Sequence, residues 1–131
     1  MNPMNNEPVN EERRILLVDD DLVVTGVIGK YLTATGFLVS IAHSGMRALL
    51  MAVESAPNVI ICDWNLPDMG GREILQLLKQ QAATAKVPII VMTADLMAMS
   101  PDAFEILRKP FHPQVLLEAV DRAFEKGKAG G

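Results

Sequence analysis

The chain has 131 residues, half of them apolar, which is enough for one domain with one hydrophobic core. Its formal net charge of −4 argues against nucleic-acid binding by this domain, and no apolar run is long enough to span a membrane. The single cysteine, Cys62, excludes an internal disulfide and is expected to be a small buried hydrophobic residue. Residues 1–13 are polar and lack the apolar segment of a signal peptide, so we expect a disordered leader on a cytoplasmic protein.

Strand and helix patterns alternate along residues 14–126, which we expect to form the folded domain, followed by a flexible tail at 127–131. Short apolar runs predict strands buried on both faces, whereas apolar residues recurring every three or four positions predict helices. The predicted strands are 14–18, 37–42, 59–62, 87–92 and 104–107, and the predicted helices are 22–35, 44–54, 72–81 and 112–126. In the first helix the predicted buried face comprises Val23, Val27, Ile28, Tyr31 and Leu32.

The alternation of strands and helices predicts an α/β fold built from parallel βαβ units. Five strands favour a doubly wound sheet with the order 2-1-3-4-5. The connection between the fourth and fifth strands, residues 94–103, is too short for a full crossover helix, and Pro101 limits it further. We therefore expect the fourth helix of such a fold to be shortened or missing.

Polar residues follow four of the predicted strands, at the edge where open α/β sheets bind their ligands. They are Asp19 and Asp20 after the first strand, Asp63 after the third, Thr93 after the fourth and Lys109 after the fifth. Three converging carboxylates repel one another unless a cation joins them, and oxygen ligands suit Mg²⁺ or Mn²⁺ rather than zinc. A hydroxyl and an ammonium group beside them would contact a phosphoryl group, so the set predicts a phosphoryl-transfer site. Asp63, alone on the central strand, is the predicted nucleophile.

The chain resembles the receiver domain of two-component response regulators. The motifs that carry the resemblance occur in the family's order and are Leu16–Asp21 (LLVDDD), Asp63–Gly71 (DWNLPDMGG), Val91–Ala94 (VMTA) and Arg108–Phe111 (RKPF). The resemblance implies a flavodoxin-like receiver fold, and it implies a cis peptide bond between Lys109 and Pro110. It covers nearly all of the predicted folded domain.

The resemblance also implies a function in phosphorelay signal transduction. Asp63 would accept a phosphoryl group from a phosphohistidine on a histidine kinase or a histidine phosphotransfer protein, and the modified domain would control an unknown downstream protein. The resemblance implies that Mg²⁺ is bound by Asp19, Asp20, Asp63 and the backbone carbonyl of Asn65, and that Thr93 and Lys109 contact the phosphoryl group. Such a domain is itself the phosphate carrier, so we expect a signalling switch rather than an enzyme.

Two departures from the family pattern concern the switching surface. Ile106 stands three positions before Lys109, where the family usually has an aromatic residue, and the segment 94–103 is short. These departures leave open a second function, a phosphorylation-independent interaction module with a remodelled output face. A phosphatase of this fold would need a second aspartate where the chain has Asn65, which disfavours that activity. The sequence also leaves open a single-domain regulator, a phosphate shuttle or sink, and a receiver cut from a longer protein.

Overall fold

The structure is a computed structural model that describes residues 12–129, with side chains described for 12–127. The predicted disorder of the leader and of the last residues lies mostly outside this range and stays a prediction. The elements in chain order are β1 Arg14–Val18, α1 Leu22–Ala34, β2 Leu38–Ala42, α2 Gly45–Ser55, β3 Val59–Asp63, α3 Gly71–Gln80, β4 Ile89–Thr93, β5 Glu105–Arg108 and α4 Pro113–Ala129. None of these helices is both long and apolar enough to cross a membrane.

The five strands form one parallel sheet in the order β2-β1-β3-β4-β5, which confirms the predicted doubly wound topology. Every residue of β3 and β4 is buried, as their continuous apolar sequences require. Val18 lies opposite Cys62, and Asp63 lies opposite Met92. Asp19, which follows β1, and Thr93, which ends β4, therefore lie at the same edge of the sheet as Asp63.

Alternation along the strands divides the core into two layers. Leu17 and Ile61 pack on the face covered by α1 and α4, whereas Leu16 and Cys62 pack on the face covered by α2 and α3. Cys62 is fully buried, which confirms its predicted role in the core, and burial raises the pKa of its thiol.

The predicted buried face of α1 is partly wrong. Val23 and Val27 are 74% and 61% exposed, whereas the fully buried positions of α1 are Thr25, Gly29 and Leu32. The helix approaches the sheet through small residues, so its inner face is rotated from the stripe of large side chains that sequence periodicity identifies. The Asp21 carboxylate caps the start of α1 by accepting the backbone N–H groups of Val23 and Val24 at 2.9 and 3.2 Å.

The last helix is longer than the sequence predicts. It continues through Gly127 to Ala129, because Gly127 does not adopt the left-handed conformation that would end it. The first helix does end at such a residue, since Gly36 has a φ of 101°.

No helix lies between β4 and β5, so the expected fourth helix is missing rather than shortened. Residues 94–104 instead form two short turns. The Arg108 guanidinium holds this segment by donating to the carbonyl oxygens of Asp95 and Ala98 at 2.5 and 3.2 Å. Within the segment, the side chain of Ala98 is buried. Its large apolar side chains are exposed, namely Leu96, Met97 and Met99.

Candidate metal and phosphoryl-transfer site

Backbone hydrogen bonds extend the sheet beyond the apolar runs and fix the polar residues at its carboxyl edge. The N–H of Asp19 donates to the last carbonyl of β2 at 3.1 Å, and the N–H of Trp64, which follows Asp63, donates to β4 at 2.9 Å. The N–H of Lys109 donates to the carbonyl of Thr93 at 2.7 Å. The backbone at Asp19, Asp63, Thr93 and Lys109 is therefore held by a neighbouring strand rather than by a free loop.

The structure brings the three predicted carboxylates together. One oxygen from each of Asp19, Asp20 and Asp63 lies within 4.8 Å of the others. Asp19 and Asp63 are buried, whereas Asp20 is exposed, so two charges of the same sign meet in a poorly hydrated place. Such a cluster is unfavourable without a cation.

Asp19 is the strongest single indication of that cation. Its Oδ1 accepts the N–H of Asp21 at 2.9 Å, but its buried Oδ2 has no hydrogen-bond partner among the described residues. Burial raises the pKa of Asp19, the Asp21 N–H opposes that shift, and the charge of Asp63 adds to it. An oxygen that is buried and unsatisfied fits direct coordination by a hard divalent ion.

Lys109 supplies the positive charge of the site. Its Nζ lies 3.3 Å from Oδ1 of Asp63 and 3.8 Å from Oδ2 of Asp19. The first distance is a hydrogen bond, whereas the second is an ion-pair contact that leaves Oδ2 unsatisfied. The peptide bond from Lys109 to Pro110 is cis, as the resemblance implies.

Thr93 ends β4 with its side chain buried. Its Oγ1 accepts the N–H of Asp95 at 2.9 Å, so its own hydroxyl hydrogen remains available for donation. The Asp95 carboxylate in turn accepts the N–H of Met97 at 2.8 Å. The start of the 94–104 segment is thus organised around the Thr93 hydroxyl.

The loop after Asp63 is packed closely against its neighbours. Asn65 pairs with Gly70 in an isolated antiparallel bridge, and the role of its carbonyl as a metal ligand stays a prediction. The half-buried Trp64 ring lies against Gly71, where an added Cβ would come within 2.3 Å of a ring carbon. The Trp64 ring therefore senses the conformation of this loop, and only glycine fits at position 71.

Two contacts near the site are not evident from the sequence. Both carboxylate oxygens of Asp68 accept backbone N–H groups at the start of α2, from Gly45 at 2.8 Å and from Met46 at 2.9 Å. His43 Nδ1 lies 3.0 Å from the carbonyl oxygen of Asp19. The residues in these contacts are more than twenty positions apart in the sequence, so no local pattern could have identified them. The start of α2 is also capped by Ser44, whose Oγ accepts the N–H of Arg47 at 3.2 Å.

Together these groups form a recognisable chemical arrangement. A carboxylate nucleophile candidate, Asp63, lies beside an ammonium group, with two further carboxylates that could bind a metal and a hydroxyl at the end of the next strand. Such an arrangement can neutralise and orient a transferring phosphoryl group, which is most of what catalysis of phosphoryl transfer requires.

Comparison with known proteins agrees with this arrangement. The family model described as the response regulator receiver domain matches residues 15–121. The probable transcriptional regulator ycf29 of Pyropia yezoensis is 34% identical over 116 residues, covering 82% of this chain and 51% of that protein. The phosphate regulon transcriptional regulatory protein PhoB of Pseudomonas aeruginosa is 30% identical, covering 80% of this chain and 48% of that protein. The chain spans about half the length of these curated relatives.

Solved structures are similar over most of the chain. The chemotaxis response regulator CheY4 of Vibrio cholerae is 30% identical, with a TM-score of 0.78, and the match covers 86% of this chain and 99% of that chain. The receiver domain of the sensor histidine kinase PA1611 of Pseudomonas aeruginosa is 26% identical, with a TM-score of 0.79 and coverages of 88% and 99%. That structure has a magnesium ion coordinated in its active site cleft. The chain therefore belongs to the response regulator receiver domain family of two-component signalling.

Proposed function

We propose that this receiver accepts a phosphoryl group on Asp63 and thereby switches its binding to a downstream protein. The observation that carries the proposal is the position of the Asp63 carboxylate, 3.3 Å from the Lys109 ammonium and within 4.8 Å of two further carboxylates. The domain proposed to do this is residues 14–126, and the proposal retains the cytoplasmic location expected from the sequence.

The proposed transfer uses a carboxylate oxygen of Asp63 as the nucleophile. That oxygen forms a bond to phosphorus while the bond from phosphorus to the donor's imidazole nitrogen breaks. The electron pair of the broken bond stays on the imidazole, which takes up a proton, and Asp63 becomes an acyl phosphate. Lys109 would then pair with a phosphoryl oxygen instead of the free carboxylate, and the Thr93 hydroxyl would donate to another.

The residues present fit a Mg²⁺ ion, which Asp19, Asp20, Asp63 and the Asn65 carbonyl would hold. When bound, the ion would supply positive charge to the carboxylates and the phosphoryl oxygens. The unsatisfied Oδ2 of Asp19 supports this assignment. Mn²⁺ is a chemically reasonable substitute, because it accepts the same oxygen ligands.

The proposed phosphodonor is a phosphohistidine on a histidine kinase or a histidine phosphotransfer protein. Two of the relatives are named as transcriptional regulators, but the chain matches only about half of each. We do not extend DNA binding to this chain, whose formal net charge over all its residues is −4. Receiver domains are signalling switches, and the proposal assigns this one only its own phosphorylation and dephosphorylation.

Fluorescence of Trp64, the one tryptophan, tests the proposal directly. Mg²⁺ is titrated first, and beryllofluoride or acetyl phosphate is added afterwards. The wild type should give a saturable response to Mg²⁺ and a second change on adding the phosphoryl mimic, because Trp64 adjoins Asp63. Intact mass after acetyl phosphate should show one added phosphoryl group.

The decisive variant is Asp63→Asn, which should lose the second fluorescence change and the added mass. Asp121→Asn is the matched control, since Asp121 is an exposed aspartate on α4 that pairs with Arg13 at 3.6 Å. It should behave as the wild type does. A wild-type protein that binds metal but neither gains mass nor shows an Asp63-dependent change would overturn the proposal.

The alternative is a phosphorylation-independent interaction module. The missing helix between β4 and β5 favours it, as does Ile106, which packs half-buried on the α2–α3 side without a ring or hydroxyl. Under this alternative, partner binding would be equal for the wild type and Asp63→Asn. Under the proposed switch, only the wild type would change its partner affinity on phosphorylation.

A further inference from the structure

The second helix buries small side chains and exposes several large apolar ones. The buried residues of α2 are small, namely Gly45, Ala48 and Ala52. Several of its large apolar residues point outwards instead: Met46, Leu50 and Val53 are 57%, 52% and 56% exposed. The inner face alone seats the helix on the sheet, so the fold itself does not account for the apolar outer face.

These outer residues form one continuous stripe, which we call the α2 stripe (Met46, Leu50 and Val53). Their spacing of four and three residues places them on one side of a helix. Among the described residues nothing covers them. A stripe with this spacing is suited to packing against another helix.

Two opposite charges flank the α2 stripe and indicate which helix would fit. Arg47 and Glu54 are both exposed and are separated by seven residues, two turns of the helix, so they lie on the same flank of the stripe. When two copies of one helix pack antiparallel about a two-fold axis, the same flank of each helix lies on the same side of the interface. Along that side, the residues of one copy run in the opposite order to those of the other. Arg47 of each copy then lies opposite Glu54 of the other, and the axis passes beside Leu50.

A parallel arrangement would not have this property, because opposite flanks would meet and Arg47 would not face Glu54. The antiparallel pair also aligns the helix dipoles favourably. We infer that the α2 stripe is a self-association surface, on which a second copy of this chain docks antiparallel through its own α2. The contact is isologous, so it closes as a dimer and does not propagate.

This surface adjoins the loop that follows Asp63. Asp68, within that loop, binds the first two N–H groups of α2 through both carboxylate oxygens. The N-terminal end of the proposed interface is thus attached to the candidate site, although the dimer does not require phosphorylation. Exposed apolar residues also lie on α1, where Val23 and Val27 are exposed, and in the 94–104 segment. The 94–104 segment has no helical face to present, and it serves here as the control.

The first experiment is sedimentation velocity of the full chain up to about 1 mM, without metal or phosphoryl mimic. Three side chains bury less area than a standard interface, so we expect a weak, concentration-dependent dimer. Leu50→Glu should weaken it by about a hundredfold or more, because it places two unpaired carboxylates at the two-fold axis. Leu96→Glu, at a position that is 78% exposed in the 94–104 segment, should leave the dimer unchanged.

A charge exchange tests the antiparallel register and does not depend on Leu50→Glu folding. Arg47→Glu alone and Glu54→Arg alone should each weaken the dimer by about tenfold, since each brings like charges together twice. The double variant should return to within about threefold of the wild type. A monomer at the highest concentration, a dimer insensitive to Leu50→Glu, or a double variant no better than the singles would overturn the inference.

Discussion

Asp19→Asn should stabilise the metal-free protein while abolishing its metal binding. The asparagine Oδ1 can still accept the N–H of Asp21, which holds Asp19 Oδ1 at 2.9 Å. Its amide nitrogen replaces the buried oxygen that has no partner and can donate to the neighbouring carboxylates. The substitution therefore removes an unfavourable charge and leaves the backbone contact in place.

The expected change in the free energy of unfolding follows from two electrostatic interactions of Asp19 that are opposite in sign and nearly equal in size. At an effective dielectric constant of about 20, the attraction of Lys109 at 3.8 Å is about 4 kcal/mol, and repulsion by Asp63 at 4.8 Å or less is at least about 3.5 kcal/mol. These largely cancel, and solvent around Lys109 weakens the attraction further. What remains is the cost of burying an unsatisfied oxygen, about 1–3 kcal/mol. The free energy of unfolding should rise by about that amount in Asp19→Asn.

Urea unfolding in EDTA and in Mg²⁺ measures both effects. In EDTA, the urea midpoint of unfolding should be higher for Asp19→Asn than for the wild type. Asp20→Asn neutralises an exposed carboxylate of the same cluster and should gain less stability. At a Mg²⁺ concentration about 100 times the dissociation constant, the wild type should gain about 2.7 kcal/mol. Asp19→Asn should gain little.

The result that would refute this reasoning is a metal-free Asp19→Asn protein that is less stable than the wild type. It would mean that the ion pair with Lys109 outweighs both burial and the repulsion from Asp63. The carboxylates would then already be balanced without a cation, and the case for a metal that rests on the unsatisfied Oδ2 would fail.

Two further predictions concern the loops around the site. Asp68→Ala should destabilise the protein by about 1 kcal/mol, because it removes the carboxylate bound by the N–H groups of Gly45 and Met46. Those N–H groups hold the pKa of Asp68 below its ordinary 3.8. The difference in stability between the wild type and Asp68→Ala should therefore be complete above pH 3.8 and vanish as the pH falls through the lower pKa of the folded state. Equal stabilities of the two proteins at neutral pH would contradict this. Arg108→Met should release residues 94–104 by removing two hydrogen bonds to their carbonyls, and amide hydrogen exchange there should accelerate. Unchanged exchange would show that the buried Ala98 holds the segment alone.

The topology and the grouping of the candidate site residues were predictable because they depend on local sequence patterns. Buried strands read as continuous apolar runs, and the parallel sheet then requires that Asp19, Asp63 and Thr93 leave it at one edge. A shortened or missing helix was also predictable, because about ten residues leave room for one or two helical turns at most. Strand boundaries differed by at most two residues, as hydrogen bonding beyond the apolar runs extends β3 to Asp63 and β4 to Thr93.

Other features required tertiary information. The inner face of α1 is set by how closely the helix approaches the sheet, so Val23 and Val27 were assigned to the core although they are exposed. The Asp68 contacts and the Arg108 contacts join residues that only the fold brings together. Sequence periodicity identifies large apolar residues, but it cannot tell an inner face from an outer one when the inner face is made of Gly and Ala.

The chemistry of the site and the shape of the β4–β5 connection are separable in this structure. Thr93 and Lys109 are held by the sheet itself, since Thr93 pairs with Arg108 in register and its carbonyl accepts the N–H of Lys109. Neither contact involves a helix between the two strands. Arg108 stabilises the short segment by donating hydrogen bonds to two of its carbonyl oxygens. Loss of that helix therefore leaves the predicted phosphoryl contacts in place while it changes the surface above them. For this reason phosphorylation and partner recognition should be measured separately in this receiver.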